Sequence, residues 1–336
     1  MYRIAKAEAD ERALLFRRTA IKNGLSEAIV EKDFWVCLTL DYLFNKSKYR
    51  EHFAFKGGTS LSKAYKLIRR FSEDIDLILD WRVLGYKVNE PWEIRSNTKQ
   101  DMFCKSANRM AEEFIEEKLL VDMIGFFKKI LGVEPNISIS EKDKQTVEFS
   151  FPQCFEDETI LKKIRLEIGP LAAWTPAKNV EITSYIADFL PKAFLQPSTI
   201  VMTVAAERTF WEKVTILHRE ANRINGSFPE RYSRHYYDLY CMSLSAVKES
   251  AYKNIELLNK VTIFKEKFYR CPWAKYEEIH KGKIRIVPRE EYFKVIEEDY
   301  IHMQGMIFGN KPSFIEIMDK MHQLEVEMKE LVPKTI

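Results

Sequence analysis

Residues 55–79 read FKGGTSLSKAYKLIRRFSEDIDLIL. The segment begins at the end of a short strand pattern, turns at two glycines, and continues with helical spacing of apolar residues through LSKAYKLIRRF. It ends in a second strand pattern, DIDLIL at 74–79. Within that strand Asp74 and Asp76 project from the same face, because side chains alternate along a strand. Strand, glycine turn, helix and acidic strand in this order predict an α/β core.

The glycine turn is a candidate phosphate site. Gly57 and Gly58 let the backbone approach a ligand, and the start of the following helix offers N–H groups and a positive dipole end to phosphate oxygens. A helix start with an ordinary hydroxyl cap explains the same pattern. We assign as nucleotide-binding candidates the turn together with the residues beside it: Lys56, Gly57, Gly58, Thr59, Ser60 and Ser72.

The acidic strand is a candidate metal site. Two carboxylates on one strand face repel each other unless a cation neutralises them, and Mg²⁺ with substrate phosphates is a common solution. A solvated sheet edge is the alternative for an isolated D-x-D, but the nearby glycine turn favours the site. Ser72 and Glu73 flank the pair. The strand pattern IRLEI at 164–168 places Glu167 opposite its apolar face, as a third candidate carboxylate.

Composition is that of an ordinary globular protein. The 336 residues carry 53 Lys and Arg against 50 Asp and Glu, a net charge of +3 that is too small to indicate nucleic-acid binding by itself. No run approaches the roughly 18 apolar residues of a membrane span, and the charged N-terminus predicts no signal peptide. The five cysteines show no zinc spacing, and the sequence contains neither H-E-x-x-H nor G-x-S-x-G. We expect a cytoplasmic protein without a membrane partner.

Three zones organise the chain. Residues 1–46 are predicted to be helical, residues 47–200 to form the mixed core, and residues 201–336 to be mainly helical. The last helix pattern carries an apolar stripe, which indicates core packing or a partner surface. The stripe consists of Ile315, Met318, Met321, Leu324 and Met328.

The motifs together resemble a known family. FKGGTSLSKAY followed by RRFSEDIDLIL is similar to the first motif of the AbiEii/AbiGii-type nucleotidyltransferase toxins, which belong to the polymerase-β-like nucleotidyltransferase superfamily. Further similarity follows in the expected order along residues 31–245. It lies in EKDFWV (31–36), IRLEIGP (164–170), AAERTFWEKVTILH (205–218) and RHYYDLY (234–240).

The resemblance implies a fold and a set of site residues. The fold is an α/β (α+β) nucleotidyltransferase core with a small mixed sheet, N-terminal helices and a mainly helical C-terminal region. Asp74, Asp76 and Glu167 are implied as Mg²⁺ ligands, although a glutamate here replaces the usual third aspartate. Lys213 is implied as a catalytic and nucleotide-binding lysine, and Asp238 as the acidic residue of the closing motif.

Local sequence leaves the roles of these last two residues open. Lys213 falls on a semi-apolar helix strip, where its ammonium needs a buried partner or extends to solvent. Asp238 is one turn from Arg234, so a local ion pair explains it as well as a role in orienting basic groups does.

The resemblance implies an activity and partners. The expected reaction is Mg²⁺-dependent transfer of NMP from an NTP to RNA, with the tRNA 3′ end as the leading acceptor, and an antitoxin encoded nearby. Alternatives are a transferase that modifies a protein or small molecule, a non-catalytic nucleotide-binding regulator, and an RNA-cleaving toxin. A basic helix face after the glycine turn is a candidate RNA contact, with a solvated face as the alternative. It comprises Lys63, Lys66, Arg69 and Arg70.

Overall fold

One mixed sheet of seven strands forms the centre of the fold. The computed structural model describes residues 1–72, 74–158, 160–173, 175–224 and 228–331. The strands are β1 (Phe53–Lys56), β2 (Asp74–Leu79), β3 (Asn136–Ile139), β4 (Thr146–Ser150), β5 (Ile164–Gly169), β6 (Ala177–Thr183) and β7 (Ser198–Val204). Their order across the sheet is β3-β4-β5-β2-β1-β7-β6. The pairs β2–β5 and β1–β7 are parallel, and the other pairs are antiparallel.

Along the chain, helices precede, separate and follow the strands, and they make up most of the C-terminal part. Those before β7 are α1 (Tyr2–Ala5), α2 (Ala9–Asn23), α3 (Glu27–Asp41), α4 (Gly57–Lys63), α5 (Asn97–Phe114), α6 (Leu120–Leu131) and α7 (Tyr185–Phe189). Those after it are α8 (Ala206–Ala221), α9 (Ser233–Ser243), α10 (Ala246–Lys253), α11 (Ile255–Phe268), α12 (Phe293–Met303) and α13 (Phe314–Leu331). The predicted α/β class, with N-terminal helices, a mixed sheet and a helical C-terminal region, is confirmed.

The predicted helix after the glycine turn is wrong in its length. Helix α4 begins at Gly57 itself and ends at Lys63, whereas the sequence pattern placed a turn at 57–60 and a helix through LSKAYKLIRRF. Lys66 adopts a left-handed backbone conformation with φ of 53°, which a continuing helix does not allow. Instead, Arg69 and Phe71 form backbone hydrogen bonds to Phe308 and Met306. Tertiary pairing overrides the local helical spacing here.

The described chain divides into two compact units. The first contains Met1–Ala64 and Ser72–Val204, and the second contains Tyr65–Phe71 together with the chain from Ala205 onwards. The short piece between α4 and β2 therefore packs with the C-terminal helices. The three-zone division at residues 46 and 200 stays a prediction.

Helix α3 forms the centre of the first unit's core. Its N-cap Ser26 accepts a hydrogen bond from the N–H of Ile29, as expected for the start of a helix. Apolar side chains surround the helix on all sides, which is typical of a buried helix. Trp35 packs edge-on against Phe149 of β4 and stacks on Phe151. Burial of each such ring contributes about 2–3 kcal/mol.

Three consecutive charged residues of α3 are buried as well. Glu31, Lys32 and Asp33 are each at most 3% exposed. Glu31 accepts hydrogen bonds from the backbone N–H groups of Cys154 and Phe155, and Lys32 donates to the carbonyl of Leu161. Glu31 and Lys32 thus both bind the loop between β4 and β5, and these hydrogen bonds offset the cost of burying their charges inside the core.

The stripe on α13 is mostly core packing. Met318, Met321, Leu324 and Met328 are buried, whereas Ile315 is 69% exposed.

Across the described residues, no helix combines the length and the apolar character that crossing a membrane requires.

Candidate active site

The glycine turn lies directly beneath a carboxylate of the acidic strand. Gly57 has φ of 77°, a conformation that favours glycine. A Cβ atom added to Gly57 would lie 1.8 Å from Oδ2 of Asp76. Gly57 therefore serves two needs at once, a left-handed turn and space for the Asp76 carboxylate.

The hydroxyl groups of this turn donate to the protein backbone. Thr59 Oγ1 donates to the carbonyl of Asp74 at 2.5 Å, and Ser60 Oγ donates to the carbonyl of Gly57 at 2.9 Å. Both side chains are nearly fully buried. Thr59 thus ties α4 to the first residue of β2, so its position fixes the acidic strand relative to the turn.

The three predicted carboxylates lie on one face of two neighbouring strands. Asp76 of β2 is the register partner of Glu167 on β5, and Asp74 is the partner of Arg165. Paired residues project from the same face, and so do residues two apart on one strand. The opposite face carries the buried core residues Ile75 and Leu166. The register thus places Asp74, Asp76 and Glu167 on one face of two neighbouring strands, and their role as metal ligands stays a prediction.

This polar face extends across further strands. Lys56 of β1 is the register partner of Asp76. On the other side, Thr146 of β4 pairs with Glu167, and Glu148 pairs with Arg165. We call the carboxylates Asp74, Asp76, Glu148 and Glu167 the acidic face. Ser72 lies just before β2 and its carbonyl accepts from Thr59; Glu73 lies outside the described residues.

Arg165 sits among these carboxylates. Its Nη2 lies 3.1 Å from Oε1 of Glu167, its Nη1 3.5 Å from Oδ1 of Asp74, and its Nε 4.0 Å from Oε1 of Glu148. Lys163 contacts the other oxygen of Glu148 at 2.5 Å. Among the described residues, no three His, Cys, Asp or Glu side chains already converge as a metal site would require. The guanidinium partly neutralises the acidic face in this arrangement.

Lys213 and Asp238 form a buried ion pair within the second unit. Lys213 Nζ on α8 lies 2.7 Å from Oδ2 of Asp238 on α9. Asp238 also accepts two hydrogen bonds from Arg70, at 2.7 and 2.9 Å. His235 Nδ1 lies 3.0 Å from Lys213 Nζ. Lys213 thus has a buried partner, and Asp238 accepts from two distant cations.

The electrostatics of this cluster follow from its burial and its cations. Asp238 is fully buried and Lys213 is 6% exposed. The guanidinium of Arg70 and the ammonium of Lys213 hold the pKa of Asp238 well below its usual value, against the opposing effect of burial. Burial, and then the charge of Lys213, lower the pKa of His235 well below its usual value. His235 is therefore neutral, and its Nδ1 accepts from the Lys213 ammonium.

The predicted basic helix face is wrong. Arg70 lies outside α4 and binds Asp238, and Lys63 Nζ forms an ion pair with Asp33 at 2.5 Å. Lys66 and Arg69 are exposed but lie beyond the end of the helix. The cations that the helical pattern placed on one surface therefore have different environments, because the chain leaves the helix after Lys63.

Sequence reasoning missed four residues of these clusters. Arg165 and Glu148 carry a weak signal, since each occupies a polar position of an alternating strand pattern, IRLEI at 164–168 for Arg165 and TVEFSF at 146–151 for Glu148. The sequence pattern places Arg70 on the predicted basic helix face, and no motif in the sequence singles out His235. Their partners are distant in sequence, 168 residues apart for Arg70 and Asp238. No local pattern indicates such a pair.

Comparison with known proteins identifies the family. The family model for the nucleotidyl transferase AbiEii toxin of type IV toxin–antitoxin systems matches residues 39–322. The chain belongs to the AbiEii family. It is thus a nucleotidyltransferase and a toxin of a type IV toxin–antitoxin system, which confirms the resemblance seen in the sequence motifs.

Solved structures include similar proteins. The nucleotidyltransferase toxin MenT4 from Mycobacterium tuberculosis is similar over 95% of this AbiEii-family chain and 97% of its own, with 16% identity and a TM-score of 0.47. No curated protein matches the sequence.

Proposed function

We propose that this toxin transfers a nucleoside monophosphate from an NTP to RNA, with the 3′ end of tRNA as the acceptor, and that the reaction requires Mg²⁺. The acceptor hydroxyl oxygen forms a bond to the α-phosphorus while the bond from that phosphorus to the bridging oxygen breaks. Pyrophosphate leaves, and the hydroxyl proton passes to solvent. The observation that carries the proposal is the register of Asp76 with Glu167, with Asp74 on the same face.

The donor set of the acidic face fits a magnesium ion. Carboxylate oxygens are the ligands that Mg²⁺ prefers, and one or two carboxylates plus substrate phosphates usually suffice. Gly57 leaves room for the Asp76 carboxylate, which a side chain at that position would displace. Asp74, Asp76 and Glu167 would hold the ion. When bound, it supplies charge neutralisation at the phosphates and a lower pKa for the acceptor hydroxyl.

The protein's own groups have separable roles in this proposal. Gly57 and Gly58 contribute backbone N–H groups and close approach for the triphosphate, while Thr59 and Ser60 hold the turn in shape through the hydrogen bonds described above. Lys56, beside Asp76 in the sheet register, contributes positive charge. For Lys213 we propose a positive charge directed to the phosphates, and for Asp238 the holding of that lysine.

The family supports the proposed antitoxin partner, and the motif resemblance supports the proposed acceptor. A type IV toxin implies an antitoxin as well as a nucleotide substrate. Blocking translation through the tRNA 3′ end is the toxic outcome that the motif resemblance implies.

The experiment supplies purified protein with Mg²⁺, total tRNA and each of the four α-³²P-labelled NTPs separately. We expect label in tRNA from at least one NTP, and loss of about 100-fold or more in Asp76→Asn, the scale of removing a charge-stabilising group. Glu181→Gln, on the edge strand β6, is the matched control and keeps full activity.

Other outcomes separate the alternatives. Label in the protein fraction instead of tRNA would move the acceptor to a protein, and shortened tRNA would indicate cleavage. Binding of an NTP without any labelled product would indicate a regulator. Full activity in Asp76→Asn would contradict the assignment of the carboxylates.

A further inference from the structure

Arg165 contacts three members of the acidic face: Asp74, Glu148 and Glu167. It lies on β5 between the register positions of Asp74 and Glu148, and it is two residues from Glu167 on the same strand. An ordinary sheet with one solvated face does not require a guanidinium at this position. The Arg165 guanidinium instead contacts Asp74 and Glu167, two of the carboxylates that we propose as ligands of the divalent cation.

We propose that Arg165 is a displaceable counter-ion of the acidic face, which competes with the divalent cation for Asp74 and Glu167. This inference rests on the proposed function, because it concerns the same carboxylates. The guanidinium holds Asp74 and Glu167 near each other before substrate arrives. A divalent cation carries twice its charge and replaces it at these two carboxylates.

The geometry makes the displacement easy. The contact to Asp74 is long at 3.5 Å, and side-chain exposures are 29% for Arg165, 24% for Asp74 and 40% for Glu167. Ion pairs with this much solvent access are weak. The guanidinium is therefore held well enough to lower repulsion between carboxylates, but not well enough to exclude a cation.

Glu148 is the carboxylate that can pair with the Arg165 guanidinium after it leaves Asp74 and Glu167. It is the register partner of Arg165 on β4, and its Oε1 already lies 4.0 Å from Nε of Arg165. Glu148 is less exposed than Glu167, at 17% against 40%, and Lys163 fixes its other oxygen. A short movement toward Glu148 leaves Asp74 and Glu167 to the cation and avoids exposing an unpaired arginine.

Binding of Mn²⁺ in the absence of NTP tests this directly. The free ion is measured by electron paramagnetic resonance, so the readout does not depend on activity. We expect Arg165→Gln to bind Mn²⁺ about three- to tenfold more tightly than the wild type, the range that loss of two weak ion pairs allows. Arg165→Lys keeps a charge but loses the planar fork, and we expect an intermediate affinity.

Lys163→Gln is the matched control. It removes one positive charge two residues away, whose Nζ contacts Oε2 of Glu148. We expect less than a twofold change. Equal tightening in both variants would show a general charge effect and overturn the competition. Unchanged or weaker binding in Arg165→Gln would also overturn it, the latter because Arg165 would then be arranging the carboxylates for the cation.

Asp76→Asn separates this inference from the proposed function. If the wild type and Asp76→Asn bind Mn²⁺ equally, the metal assignment itself fails. If binding depends on Asp76 but not on Arg165, only the role of Arg165 fails. Circular dichroism of each variant confirms that the sheet has formed before the affinities are compared.

Discussion

Gly57 is the single residue on which the shape of the acidic face depends most directly. In Gly57→Ala the new Cβ would meet Oδ2 of Asp76 at 1.8 Å, so the carboxylate or the turn must move. We expect nucleotidyl transfer to fall at least tenfold, and the free energy of unfolding to fall by more than the roughly 1 kcal/mol that a left-handed alanine costs. Transfer assays and urea unfolding measure the two effects.

Gly85→Ala is the control for that substitution. Gly85 has φ of 93°, and a Cβ added there meets no atom within 4 Å. It should show the backbone cost without the collision, hence reduced stability with unchanged transfer. Equal loss of activity in both variants would mean that Gly57 acts through backbone strain and not through Asp76.

The two members of the buried ion pair should differ in their effect on stability. Asp238→Asn removes the buried carboxylate that Arg70 and Lys213 share, and such a loss costs about 3–5 kcal/mol. Lys213→Met leaves Asp238 with both hydrogen bonds from Arg70, so we expect a smaller loss. Urea unfolding ranks them, with the exposed Lys260→Met as control. A larger loss in Lys213→Met would contradict this account of the cluster.

Helix α3 stabilises its neighbours through buried charge as well as through apolar packing. Asp33 pairs with Lys63 of α4 and accepts from the backbone N–H of Tyr185 at the start of α7. In Lys63→Met the buried Asp33 keeps the second contact but loses the first. We expect about 3 kcal/mol of destabilisation by urea unfolding.

Lys66→Met is the control for Lys63→Met. It tests whether the loss of stability comes from the ion pair with Asp33 or from removing any lysine near α4. Lys66 is exposed three residues further on, and a surface substitution of this kind changes stability by about 0.5 kcal/mol or less. If both variants lose the same stability, the Asp33–Lys63 pair is not what joins the elements.

Elements with strong periodicity were predictable from sequence, and long-range contacts were not. IRLEI alternates cleanly and DIDLIL alternates over its first four residues, so β2 and β5 and the faces of Asp74, Asp76 and Glu167 could be predicted locally. The end of α4 could not, because the apolar spacing at Tyr65 and Ile68 continues a helical pattern. Only the pairing of residues 69–71 with 306–308 ends it, and that pairing depends on chain more than 200 residues away.

At the scale of the whole molecule, two histidines set a pH dependence of stability. Burial lowers the pKa of His218 and of His235 below 6.5. As the pH falls below 6.5, these two side chains are therefore protonated in the unfolded chain before they are protonated in the folded chain. Stability is therefore fully present above pH 6.5 and falls as the pH drops, by up to about 1.4 kcal/mol per pH unit for each histidine. The lowered pKa of Asp238 reduces stability in a separate, more acidic range, as the pH falls below the usual value of 3.8 for this carboxyl group.

The difference between variants isolates the histidines from other groups. Burial raises the pKa of Glu31, which acts in the opposite direction as the pH falls. Urea unfolding at pH 7.5 and 5.5 should show a smaller difference when His218→Gln and His235→Gln are combined than in the wild type. The exposed His302→Gln should leave the difference unchanged. A wild-type slope that survives the double substitution would assign it to other groups.

The path of the chain predicts that the C-terminal helices are not an independent fragment. Tyr65–Phe71 belongs to the second unit, where Ile68 and Phe71 are buried and Arg70 binds Asp238. A fragment of residues 205–331 lacks all of these contacts.

The experiment compares this fragment with a second one, in which a flexible Gly/Ser linker joins residues 65–71 to residues 205–331. We expect the fragment without residues 65–71 to unfold at a lower urea concentration, or to aggregate. Adding Arg70→Met to the joined fragment should remove much of the gain, because Asp238 then has Lys213 alone. Equal stability with and without the segment would show that the second unit folds without the piece that precedes the acidic strand.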